Sequence, residues 1–202
     1  MAHNTLQPLQ IGIIGHPALL HRNLLHFRQL QECHQVPKQS QMTVIPVYNE
    51  MQIARLDGLL ITGWQLQHLY HKVAPLQKSI LHRIDSLSLW GVAAGAALLG
   101  QNGLLPVIDC SIACLPGYAN DTSILEIPGC IPERFVGYFI PQIQFSFPAP
   151  NLCILCQNQT HGITAIRQGN HLACGFAAEL TPQLSLYRYW TEMVIALKEW
   201  KI

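Results

Sequence analysis

Residues Leu87–Gly100, Leu-Ser-Leu-Trp-Gly-Val-Ala-Ala-Gly-Ala-Ala-Leu-Leu-Gly, constrain this chain more than any other stretch. The apolar run Leu87–Val92 has the length and composition of a buried strand. It carries Gly91-x-x-x-Gly95 and passes without a linker into an alanine- and leucine-rich helical segment. A strand that turns sharply into a helix, with glycines and small residues at the bend, has the pattern of a nucleophile elbow. Such a bend holds one side chain at the head of a helix, where backbone N–H groups stabilise an anion. The residue at its apex here is Ala93, which has no nucleophilic atom.

Strands and helices alternate on either side of this bend. Ile11–Gly15 reads as a first parallel strand with a βα turn. Leu19, Leu20, Asn23, Leu24, Phe27 and Leu30 then keep helical spacing up to Cys33. Met42–Val47 and Asp57–Gly63 read as further strands, and Pro75–Asp85 as an amphipathic helix with Leu76, Ile80, Leu81 and Ile84 on one face. This pace predicts an α/β fold of right-handed βαβ units, with a mainly parallel central sheet flanked by helices. Beyond Gly103 the elements shorten. Val107–Leu115, Ser123–Ile127, Phe135–Ile140, Leu152–Gln157, Ile163–Gln168 and His171–Phe176 read as strands, several of them pairing antiparallel. Pro182 opens a final helix whose apolar stripe is Leu186, Tyr189, Trp190, Met193, Val194 and Leu197. No repeat, low-complexity tract or linker divides the 202 residues, so a single domain over 1–202 is expected.

Composition narrows the function classes. Charged residues are 11% of the chain, against roughly 25% in an ordinary soluble domain. Part of the surface is therefore expected to be covered by a partner, or else to carry Gln, Asn, Ser and His in place of charges. The formal net charge is +1 and no basic run exists, which argues against nucleic-acid binding. Ser86–Ile108 and Phe135–Ile166 contain no Asp, Glu, Lys or Arg. Gln101-Asn102-Gly103 breaks the first, and Pro141, Pro148 and Pro150 break the second, so both read as core and no membrane span is expected. Met1–Gln10 is polar and lacks the apolar stretch of a secretory signal. With seven cysteines, an odd number, this predicts free thiols and a cytoplasmic location. Cys153 and Cys156 have CxxC spacing, but in a strand their sulfurs face opposite sides. No second pair completes a zinc site, and neither a metal nor a cofactor is expected.

Four stretches, Ile11–Gly15, Leu56–Gly63, Trp90–Leu99 and Ile163–Thr181, follow one another in an order that resembles the class I glutamine amidotransferases. In particular they resemble the glutaminase subunit of pyridoxal 5′-phosphate synthase, the PdxT family. The resemblance runs over essentially the whole chain. Its most specific part is Thr164–Thr181, similar to the strand pair that leads into the family's Cys-Ser-Phe-His-Pro-Glu-Leu-Thr motif. Phe135–Ile140 resembles the strand before its substrate-contacting arginine. The resemblance implies a flavodoxin-like amidotransferase fold. It also implies a reaction in which an elbow cysteine attacks the glutamine amide, a glutamate-oriented histidine moves protons, and ammonia passes to a barrel-shaped synthase subunit.

Matched position by position, the chain departs from that pattern. The cysteine falls on Ala93 and the histidine on Ala177, its proline falls on Ala178, and the glutamate alone is retained, as Glu179. The oxyanion loop reads Thr62-Gly63-Trp64-Gln65-Leu66, and Ala94 follows the elbow residue. The family's Leu-Gln-Gly reads His16-Pro17-Ala18, and its arginine falls on Pro141. Several departures at separate points argue against a single engineered cysteine replacement. Losing a nucleophile or base costs on the order of 10⁶ in kcat. The residual of roughly 10³–10⁴ over water depends on an oxyanion hole and substrate binding, both altered here.

The expectation is therefore a catalytically inactive glutaminase-like protein, an interaction or regulatory module that docks on a pyridoxal phosphate synthase barrel subunit or on its own copies. The alternative is a small-molecule binder, or an enzyme with relocated chemistry, in the remodelled glutamine pocket. His16 and His68 would line that pocket. Trp64 either fills the vacated space or stacks on a flat ligand, and His68 with His71 marks either the pocket mouth or a solvated helix face. Glu179 is expected to bond backbone or water. Cys110, Cys114, Cys174, Arg167 and Gln168 are expected to be structural.

Overall fold

The computed structural model describes residues 8–33, 41–115, 121–127, 131–181 and 184–200. Its first half alternates β1 (Leu9–Ile14), α1 (Pro17–Glu32), β2 (Met42–Pro46), the short α2 (Glu50–Ile53), β3 (Gly58–Gly63), α3 (Leu66–Val73), α4 (Gln77–Leu81), β4 (Ser88–Ala93) and α5 (Ala94–Ala97). The second half is mostly strands: β5 (Ser111–Cys114), β6 (Asp121–Ile127), β7 (Ile131–Phe139), β8 (Ile143–Ser146), β9 (Cys153–Asn158), β10 (Gly162–Gln168) and β11 (His171–Cys174). Helix α6 (Ser185–Glu199) ends the fold. Seven strands form one sheet in the order β2-β1-β3-β4-β11-β10-β9. The first five are mutually parallel, and β10 and β9 add antiparallel at one edge. This is the mainly parallel α/β sheet expected, with β5–β8 and β6–β7 as separate two-stranded pairs.

Two cores cover the sheet. On one face Ile11, Ile13, Leu60 and Trp90 pack against Phe27 of α1 and Tyr187 and Trp190 of α6. The rings interlock, Tyr187 meeting Phe27 and Trp90 edge-on at 5.1 and 5.0 Å. On the other face Leu59, Ile61, Leu89 and Ala173 pack against Leu69 and Val73 of α3 and Ile80 of α4. The central strands are buried on both sides, which is why they read as unbroken apolar runs. Among the described residues no helix is long and apolar enough to cross a membrane.

Several element boundaries differ from expectation for local reasons. Pro75–Asp85 is not one helix: a 3₁₀ turn over Ala74–Leu76, α4 and another 3₁₀ turn over Ile84–Ser86 replace it. Pro75 has no N–H to continue the ladder, and the Arg83 guanidinium turns back to the carbonyls of Ile53 and Leu56 at 2.7 and 2.8 Å. The helix after the elbow is a single turn, because the Gly103 backbone returns against the Leu98 carbonyl. Val107–Leu115 narrows to β5, which pairs with β8, a strand not expected from the sequence. Pro182 lies outside the described residues. In α6 the buried tyrosine is Tyr187, whose hydroxyl donates to Asn23 Oδ1 at 2.6 Å, whereas Tyr189 is half-buried beside Arg167.

Candidate functional site

The carboxyl ends of β1, β3, β4 and β11, neighbours in the sheet, deliver Gly15-His16, Gly63-Trp64, Ala93 and Ala177 to one edge. Open α/β sheets bind their ligands along this edge. The elbow is fully formed there. Ala93 sits at φ 52°, ψ −122°, one of two non-glycine residues with positive φ among those described, and is completely buried. It stands opposite Gly63 in the β3–β4 register. The two flanking glycines are required by contact. A Cβ on Gly91 would lie 2.6 Å from the Gly95 carbonyl oxygen, and a Cβ on Gly95 would run into the Ile61 carbonyl of β3.

Ala177 follows β11, its N–H donating to the Tyr138 carbonyl at 2.7 Å and its methyl fully buried. One 3₁₀ turn later Glu179 is 2% exposed. Its side-chain partner is not a histidine: the Trp64 indole Nε1 donates to Glu179 Oε1 at 3.2 Å. The sequence leads one to expect a bond to backbone or water; the carboxyl's own backbone N–H does bond it, and the indole adds a side-chain partner the sequence does not show. With the histidine position occupied by a methyl group, the indole from the loop after β3 reaches the carboxylate instead. Burial pushes the Glu179 carboxyl above its ordinary range. Its own backbone N–H and the indole, with the Arg22 charge, offset this only in part. The nearest thiol offers no replacement nucleophile: Cys174, opposite Val92 in the next strand, is fully buried, which pushes it up to about 12.

Trp64 does not close this edge. Its indole remains 37% exposed and forms one wall of a cavity of about 500 Å³, also lined by Gly15, His16, Leu19, His68 and Lys72. Helix α1 enters at Pro17, whose missing N–H is harmless in the first turn, with His16 Nδ1 accepting from the Ala18 N–H at 3.3 Å. The first turn of α3 faces it, so the His16 and His68 rings approach edge-on at 6.1 Å. Lys72, one turn beyond His68, donates to the Gly15 carbonyl at 2.6 Å.

The cavity therefore joins His16, Gly63, Trp64 and His68 as expected. It does not include Ala93, Ala94, Ala177, Pro17 or Pro141, and Pro141 is buried after β7. The cavity opens between the entry to α1 and the first turns of α3. His71 lines a second cavity of about 220 Å³ with Tyr48 and Lys72. Leu19 and Lys72 escape a motif search, although Lys72 shares the helical phase of His68 at i, i+4. Elsewhere the expectation that the Cys153 and Cys156 sulfurs face opposite sides is corrected: a bulge in β9 pairs Cys153 with Arg167 and Cys156 with Ala165, two residues apart on β10, so both point to one face, Cys153 exposed and Cys156 buried. Among the described residues no cluster of three or more His, Cys, Asp or Glu could hold a metal. Arg167 bonds the Gly169 carbonyl and the Tyr189 hydroxyl, and Gln168 bonds Asp109, structural roles in both cases.

No protein-family model matches the chain. It is 29% identical over 166 residues to the pyridoxal 5′-phosphate synthase subunit PdxT of Bacillus cereus, covering 75% of this chain and 82% of that protein. It is 27% identical over 156 residues to the subunit of the same name from Thermotoga petrophila, covering 71% and 82%. Among solved structures, a glutamine amidotransferase crystal structure superposes with a TM-score of 0.73 at 21% identity, covering 91% of this chain and 98% of the other. At that identity the superposition establishes the shared fold.

Proposed function

The chain is related to the PdxT subunits and has the class I glutamine amidotransferase fold, and from that relation we propose a glutaminase-like protein that does not hydrolyse glutamine and acts by binding. The observation that carries this reading is Ala93: a complete elbow, strained backbone included, presents a methyl group. A side chain there without an oxygen or sulfur cannot form the covalent intermediate that makes amide cleavage tractable. The second support is the bond from Trp64 to Glu179, which engages the one carboxylate that could orient a base. Cys174, kept as a thiol by burial, cannot substitute.

The partner in this reading is a pyridoxal phosphate synthase subunit, since the relatives are by name subunits of that enzyme. Tyr48, which lines the second cavity, Met51 of α2 and Tyr70 of α3 are 71, 80 and 48% exposed, apolar surface of the kind that docking covers. Native mass spectrometry of the chain mixed with the barrel-shaped synthase subunit of its own organism tests this. A stoichiometric complex is expected. A chain that stays separate removes the synthase from the account. The same instrument tests the chemistry: 6-diazo-5-oxo-norleucine, which alkylates glutaminase nucleophiles, should add no mass at the elbow peptide.

A further inference from the structure

We propose that the cavity between α1 and α3 is a binding site for a small carboxylate with an apolar, flat body. The ionisable groups of its wall are all basic: the His16 and His68 imidazoles and the Lys72 ammonium. No carboxylate lines it, and among the described residues Lys72 takes part in no ion pair. The Lys72 ammonium spends one donor on the Gly15 carbonyl at 2.6 Å, which pins it at the cavity edge with two N–H donors left. The rest of the wall is largely carbon and includes Leu19, Leu69 and the indole of Trp64. That indole is held by Glu179 at its Nε1 edge, so its position is set before a ligand arrives.

A wall whose ionisable groups are all basic, together with an anchored aromatic ring, selects an organic anion over a cation or a sugar. An anion is attracted without displacing a resident carboxylate, and a flat apolar body gains burial on the indole and the leucines. A single Lys72 ammonium with two free donors matches the one charge and two oxygens of a carboxylate. The site is separate from the elbow, since Ala93, Ala177 and Pro141 do not line it. Its test on the chain by itself does not involve the synthase.

The test uses the full-length chain with 3-phenylpropionate and its neutral analogue 3-phenylpropan-1-ol. Binding is read by calorimetry and by the Trp64 indole N–H resonance, assigned with Trp64→Phe. The carboxylate should bind saturably, at least tenfold tighter than the alcohol, and should move the Trp64 signal. Lys72→Met and His68→Gln should each weaken the carboxylate at least fivefold and leave the alcohol unchanged. His68 is exposed, so its variant decides the matter even if Lys72→Met does not fold. Equal affinity for acid and alcohol, unchanged affinity in the variants, or no saturable binding by the acid would overturn the proposal.

Discussion

Ala93 provides a measurable consequence of an elbow with no reactive side chain. At φ 52°, ψ −122° it occupies a region that glycine enters freely and other L-residues enter at a cost on the order of 1–3 kcal/mol. Replacing Ala93 by Gly removes that strain. Two terms oppose the gain: the loss of a buried methyl, about 0.8 kcal/mol, and the greater freedom of glycine in the unfolded chain, roughly 0.5–1 kcal/mol. The net effect of Ala93→Gly is therefore small, between about 1 kcal/mol lost and about 2 kcal/mol gained. The neighbouring residue supplies the control. Ala94 is equally buried but begins α5, so Ala94→Gly loses the same methyl and the same entropy with no strain to relieve. It should cost about 1.5–2 kcal/mol. The difference between the two variants, about 1–3 kcal/mol in favour of the substitution at Ala93, isolates the stored strain. Urea denaturation at constant m-value measures it. Equal losses in the two variants would refute the claim that the elbow is strained.

Other consequences follow from buried contacts. Gly95→Ala drives a Cβ into the Ile61 carbonyl, which the β3–β4 pairing holds in place, so a loss of at least about 3 kcal/mol is expected in thermal or urea unfolding. Glu179 has its pKa raised by burial, so the folded state holds its proton more tightly and stability falls as pH rises above about 4.5 toward the raised value. Glu179→Gln keeps an acceptor for the indole and removes this slope; it should stabilise the chain at pH 8 more than at pH 5, and the reverse order would contradict the assignment. His171 is lowered from 6.5 to about 4, by burial first, with Asp85 opposing. Its contribution is present above pH 6.5 and is lost as pH falls toward 4, by at most about 1.4 kcal/mol per pH unit. His171→Asn leaves an acceptor for the Leu89 N–H and should flatten that acid limb of the stability profile.

The parallel core was legible because strands buried on both faces, Ile11–Ile14, Leu59–Ile61 and Leu87–Val92, are written as unbroken apolar runs. The elbow was legible for a different reason: Gly91 and Gly95 are needed where backbone meets backbone, and no other residue fits. The division of Pro75–Asp85 into short turns was not, since it depends on Arg83 reaching carbonyls about 30 residues away. Helical phase also could not decide between Tyr187 and Tyr189, because the choice rests on the Asn23 partner across the α1–α6 contact. The site divides in the same way. Ala93, Ala177 and Glu179 could be placed by motif, but the bond between Trp64 and Glu179 joins residues 115 apart and belongs to no local pattern.

The central claim is that a chain with the amidotransferase fold and a methyl group at the elbow does not hydrolyse glutamine. The most direct measurement is ammonia release from glutamine labelled with ¹⁵N in its side-chain amide, by the wild-type chain alone and mixed with the barrel subunit of a pyridoxal phosphate synthase from its own organism. The account predicts no release above a protein-free control in either mixture. Steady release that disappears when one named residue of this chain, such as Glu179, is replaced would contradict it.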